Sequence, residues 1–122
     1  LLRYYRDHYS QVEWALAEAE KGVDLLFHDA PAVVIIHGPM EGSTPVEDAQ
    51  YAALSLILTA HSLGLGTCFI GYATETFNRS STVKKWCNIP SDHRVHAVIT
   101  MGYPSVKFLH PALRKKYSIN FI

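Results

Sequence analysis

Chemistry, if this chain performs any, should sit among its clustered glycines, its seven histidines and its two cysteines. Gly64-x-Gly66-x-x-x-x-Gly71 invites a dinucleotide-binding reading, since glycines let a backbone approach a pyrophosphate. That fingerprint follows a strand, opens a helix and places its third glycine three positions after the second. Here a helical pattern precedes the glycines, a strand pattern follows them, and position 69 is Phe69. A helix stop accounts for Gly64, and close backbone approach accounts for Gly66 and Gly71. His93 and His96 sit three apart at the start of a predicted strand, which turns them to opposite faces, and no carboxylate or cysteine completes a ligand set at a usual spacing. No metal site is expected. A Cys–His hydrolase would need Cys68 as an activated thiolate, but its neighbours Thr67, Phe69 and Ile70 form an apolar setting that raises a thiol pKa. His61, on the central helix, reads as a core or interface histidine. No catalytic side chain is assigned. The densest positive charge is Arg114-Lys115-Lys116, either a solvated tail or an anion clamp whose arginine fork suits a phosphate.

Composition narrows the field. The chain has 122 residues, 48% hydrophobic and 18% charged, a balance suited to one domain with a modest core. Eleven basic residues offset eleven acidic ones, so nucleic acid is not an expected partner. Cys68 and Cys87 belong to no Cys-x-x-Cys pair; both are expected to be buried thiols, in a reducing, cytoplasmic setting. The longest apolar run, Tyr51 to Ala60, is about half a membrane span, so no membrane partner is expected. The chain starts at Leu1 without a signal-peptide pattern, as a piece of a longer protein would.

The elements that must position any site follow from periodicity. A helix is predicted from about Tyr9 to Lys21, stopped by Gly22. AVVIIH, from Ala32 to His37, reads as a strand buried on both faces. Thr44 as N-cap, Pro45 at the first helical position and Glu47 completing a capping box start a helix over 45 to 63, about 28 Å long, ended by Gly64. Ala49, Ala53, Ile57 and Ala60 line one stripe and Leu54 and Leu58 another, so this helix must be covered on more than one side. A strand over Thr67 to Gly71, a helix over about Glu75 to Cys87 and a strand over Val95 to Met101 complete the pattern. Tyr117, Ile119 and Phe121 alternate with polar residues, as in a further strand.

The blocks DAPAVVIIHGP, STPVEDAQYAALSLILTAHSLGLGTCFIGY and IPSDHRVHAVITMGYP, followed by FLHPALRKKYSINF, resemble the nitroreductase family over nearly all of residues 24 to 122. The resemblance is greatest to the branch that carries a ferredoxin-like iron–sulfur domain ahead of its flavin domain. It implies an α/β (α+β) three-layer fold, a central mixed sheet flanked by helices, with residues 1–122 as a single domain whose N-terminal part is missing. It also implies FMN at the interface of a homodimer, with the long central helix in that interface. The stretch Ile70-Gly71-Tyr72 would pass beside the isoalloxazine ring, backbone N–H groups of Ile70 and Gly71 reaching its N5 and O4 edge; Gly66 would lie close by, and Arg114 near the phosphate. Hydride would pass from a nicotinamide or ferredoxin-type donor, through FMN, to an acceptor such as a nitroaromatic or quinone. Arg3-Tyr4-Tyr5-Arg6 departs from the family's opening Arg-Arg-Ser-x-Arg block, and the iron–sulfur cysteine motif is absent. The other account of the same residues is a self-associating α/β fragment that does not hold FMN.

Overall fold

The computed structural model describes residues 13–14, 17–106 and 109. The hydrophobic demand of the sequence concentrates in one strand. β3 (His93–Gly102) runs through HAVITM, and Val95, Val98 and Ile99 are almost wholly removed from solvent. Each such side chain contributes roughly 1.5–3 kcal/mol on burial. β1 (Ala32–Pro39) and β2 (Gly66–Phe69) flank it in the order β1-β3-β2, both antiparallel to it. β1 and β2 therefore run in the same direction without touching.

Helices cover both faces. α1 (Pro45–Ser62) lays Ala53, Leu56 and Ile57 on Ile36, Ala97 and Ile99. On the opposite face, α2 (Gly71–Arg79) sets Ala73 and Phe77 against Val95 and Val98, joined by Val83 of α3 (Ser81–Trp86) and by Ile89. The result is a mixed α+β architecture with a sheet flanked by helices, as the sequence indicated.

The helix signals hold in detail. α1 starts after Thr44 with Pro45 in its first turn and ends in a Schellman motif. In that motif Gly64 at φ +76° donates to the His61 carbonyl, and Leu65 donates to that of Ala60. Residues 17–20 are helical and stop at Gly22, φ +82°; most of the remaining predicted first helix lies outside the described residues, as does the strand pattern over 117 to 121. The Asp24 carboxylate then accepts from the N–H groups of Leu26, Phe27 and Asp29, fixing the turn that presents Phe27 to the core.

Four expectations need correction. AVVIIH is an edge strand among the described residues: Ile35 and Ile36 do pack on opposite faces, but Ala32, Val33 and His37 are exposed. The fully covered strand is β3, which alone among the described strands has a neighbour on each side. Thr44 does not close a capping box: its hydroxyl donates to Asp48 at 3.4 Å and makes no backbone cap. The helix expected over Glu75 to Cys87 begins at Gly71 and breaks at Ser80, whose extended backbone lets its hydroxyl accept from Val83 N–H and start α3. Both cysteines are exposed, Cys68 on the edge strand β2 and Cys87 as the C-cap of α3.

β2 ends well short of the start of β3, leaving backbone groups of Val95 without a strand neighbour on that side. The carboxamide of Asn78 takes the place of one: Nδ2 donates to the Val95 carbonyl at 2.7 Å, and Oδ1 accepts from the Val95 N–H at 2.9 Å. Asn78→Ala would leave both groups buried and unpaired, a cost of about 2–4 kcal/mol. A lowered urea midpoint with a nearly unchanged m-value is the expected result.

Candidate functional site

The stretch singled out for a cofactor lies where β2 gives way to α2. The two N–H groups expected to point outward do not share that role. Ile70 N–H donates to the Val98 carbonyl at 2.8 Å, extending the ladder with β3 by one residue, while its side chain packs on the α2-face core. Gly71 opens α2, so its N–H belongs to the first helical turn, which has no intrahelical acceptor. A Cβ at Gly71 would meet nothing within 4 Å. Phe69 and Tyr72 on either side are exposed, 56% and 64%. The free amide edge of this site is thus carried by Gly71 and not by Ile70, because the strand claims the Ile70 amide first.

Gly66 lies at the other end of β2, paired with Gly102; a Cβ there would rest 3.6 Å from the Gly102 carbonyl and from Pro104. These are ordinary contacts, and the length of β2 separates Gly66 from Ile70, Gly71 and Tyr72. Arg114, the expected phosphate ligand, lies outside the described residues.

A second grouping forms where β1 ends and α1 begins. The register runs Ile36 opposite Ala97 and then His37 opposite Val95, which leaves His96 with no opposing residue: a β-bulge. His37 and His93 meet across the strands with Nδ1 atoms 2.8 Å apart and ring centroids 5.1 Å apart, a hydrogen bond in which one ring donates and the other accepts. Sequence reasoning treated His93 and His96 and passed over His37, since its partner is 56 positions away. Among the described residues no group of three or more metal-ligating side chains converges. His96 lines a cavity of about 450 Å3 between β1 and α1, with Ile36, Asp48 and Ala49. Burial, and secondarily the nearby charge of Arg94, hold the His96 imidazole below its ordinary pKa. No helix among the described residues is long and apolar enough to cross a membrane.

A sheet covered by a long helix on one face and a broken helix on the other superposes on several solved structures. The nitroreductase with bound FMN from Bacteroides fragilis superposes with a TM-score of 0.68 at 22% identity, over 80% of this chain and 54% of that one. A putative NADH dehydrogenase/NAD(P)H nitroreductase from Bacteroides thetaiotaomicron gives a TM-score of 0.57 at 27% identity, over 75% and 52% of the two chains. An FMN-dependent nitroreductase from Clostridium difficile gives 0.54 at 27%, over 66% and 50%. This chain therefore spans about half the length of the solved structures it matches. No curated protein matches it. The profile of the nitroreductase family matches residues 2–103. The chain belongs to the nitroreductase family.

The His96 shift has a sign. A histidine whose folded pKa lies below its unfolded value binds fewer protons folded than unfolded, so stability falls as pH drops through the unfolded value near 6.5 and continues to fall until the folded pKa is passed. His96→Asn removes this contribution. Urea midpoints measured between pH 8 and pH 5.5 should therefore decline less steeply in the variant than in the parent.

Proposed function

We propose that this chain is the larger part of the flavin domain of an FMN-dependent oxidoreductase. The observation that carries the proposal is Gly71, an open glycine amide at a helix start between two exposed aromatic side chains, in a chain whose family match covers residues 2–103. The neighbours named as FMN proteins support the cofactor. Bound FMN would supply hydride acceptance and donation at its ring, which agrees with the lack of an assigned protein nucleophile or acid–base pair.

In this reading the chain's own work is placement. Gly71 N–H donates to the polar N5 and O4 edge of the ring, where a hydrogen bond favours a reduced, partly anionic flavin. Ile70, bonded to Val98 and packed in the core, holds Gly71 in position. Tyr72 borders the ring, and Arg114 supplies charge for the phosphate. The donor is a nicotinamide or a ferredoxin-type protein, and the acceptor an electron-poor nitroaromatic or quinone. The sequence blocks quoted above favour the branch with a preceding iron–sulfur domain, and the cysteine usage favours a reducing, cytoplasmic setting.

The same reading includes a homodimer built on α1. Its inner side is buried through Ala49, Ala53 and Ala60, yet Tyr51, Leu54 and Leu58 on another side are 69%, 53% and 61% exposed. A stripe of large apolar side chains on a helix is normally covered. A second copy of this chain, meeting the first by two-fold symmetry, would cover it.

Two experiments test these statements. The purified protein should show flavin absorption near about 450 nm after FMN is added and excess removed. Gly71→Val should abolish or shift that binding while leaving the fold intact, because its side chain meets nothing of this chain within 4 Å. Full flavin occupancy at an unchanged potential in Gly71→Val would refute the assignment. For the dimer, Leu54→Asp combined with Leu58→Asp should give a monomer by sedimentation at about tens of micromolar, where the parent remains paired.

A further inference from the structure

Two imidazoles meet at the end of the sheet where β3 begins, and neither takes part in the flavin reading. His37 and His93 bring their Nδ1 atoms to 2.8 Å, with ring centroids 5.1 Å apart and planes tilted by 48°. The bulge at His96 is what pairs them. It shifts the register by one residue, so that His37 stands opposite Val95 and Pro39 opposite His93. Residues two apart on a strand share a face, which makes His93 the diagonal neighbour of His37. Without the extra residue His37 would oppose His96, and Arg94 would hold the diagonal position.

Both main chains are held. His37 lies in the ladder with β3, the His93 N–H donates to the Pro90 carbonyl at 3.2 Å, and the His93 carbonyl accepts from Lys84 Nζ at 2.6 Å. The side chains remain accessible, His37 exposed and His93 partly so. In the hydrogen bond between them one Nδ1 carries a proton and the other accepts it. With that proton moved to Nε2 of its own ring, two Nδ1 lone pairs stand at the spacing of ligands on one metal ion. Metal–imidazole bonds of about 2.0 Å at right angles put two nitrogens about 2.8 Å apart, whereas a tetrahedral angle needs about 3.3 Å. The observed separation fits neighbouring corners of a square plane. A small turn of each ring about its broad terminal torsion aims both lone pairs at a common point.

Square-planar and tetragonal nitrogen sites suit Cu2+ and Ni2+, and Cu2+ stands highest in the affinity order. Lys84 and Arg94 adjoin His93, and their charges oppose any cation, which favours the ion that imidazole binds most tightly. No third ligating side chain among the described residues converges with the pair, so the other corners are left to water. We infer that His37 and His93 form a two-histidine site for a divalent copper ion, each ring ligating through Nδ1 and keeping its proton on Nε2. The inference stands apart from the flavin reading, since neither residue belongs to the Gly71 site.

The test uses the full chain with Cys68→Ser and Cys87→Ser, both exposed positions, so that no thiol binds or reduces the metal. Added Cu2+ at neutral pH should give an electron paramagnetic resonance spectrum of a tetragonal ion split by two imidazole nitrogens. At low Cu2+ the NMR signals broadened first should be those of His37, Gly38, His93 and Arg94. His37→Gln and His93→Gln should each weaken Cu2+ binding by about tenfold or more, and the double variant should weaken it little further, since one site is lost in every case. His28→Asn, at an exposed turn residue whose positive φ asparagine tolerates, should leave it unchanged. Saturating Cu2+ should raise the urea midpoint of the parent and not of His37→Gln. Should a glutamine variant not fold, the spectrum and the broadening map of the parent decide alone. Three results would overturn the inference: no saturation up to about 100 µM Cu2+; first broadening at another histidine; or unchanged affinity in both single glutamine variants.

Discussion

The burial of β3 is the constraint on which the rest of the structure depends. A strand whose residues are apolar on both faces must have a layer above, a layer below and a hydrogen-bonding neighbour on each edge. The chain meets these four demands with α1, with α2 and α3, with β1 and with β2. Where β2 is too short, a side chain serves instead: Asn78 reaches back from α2 and bonds both backbone groups of Val95. The same strand fixes the candidate site: Val98 holds the Ile70 amide and so brings Gly71 to the surface. A bulge at His96 lies between Val95 and Ala97.

Local signals in the sequence were legible because they are local. Pro45, Thr44 and Gly64 bound α1 within one or two residues, since the start and the Schellman stop depend only on neighbouring backbone. The β-branched run in β3 likewise marked a strand. What could not be read depends on partners far along the chain. That AVVIIH is an edge strand and HAVITM a central one is a matter of pairing order, which both runs leave open. Whether Cys68 is buried depends on what covers the outer side of β2. The start of α2 at Gly71 escaped notice because glycine is a poor helix former and the apolar spacing becomes evident only from Ala73 and Phe77. Of the expected site residues, Gly71 stands at the start of α2, the Ile70 amide is bonded to Val98, and Gly66 lies at the far end of β2.

The described residues are unevenly covered. Its core side chains are sealed, while Tyr51, Leu54 and Leu58 on α1, Phe69 on β2 and Trp86 on α3 carry large apolar surface into solvent. These exposures coincide with the edges and faces that β3 does not itself organise.

The parallel course of β1 and β2 has a consequence for how such a domain can diversify. Both strands release the chain at the same end of the sheet, so the segment leading into α1 and the one leading into α2 share a rim, while the packed strand between them anchors the whole. The segment between β1 and α1 can lengthen, shorten or change chemistry without touching Val95, Val98 or Ile99, whereas Ile70, the single residue between β2 and α2, is bonded to Val98. Mutational cost is thereby confined to one region and chemical novelty to another, and an ancestral scaffold of this kind can acquire new reactants by editing its margin while its interior stays the same.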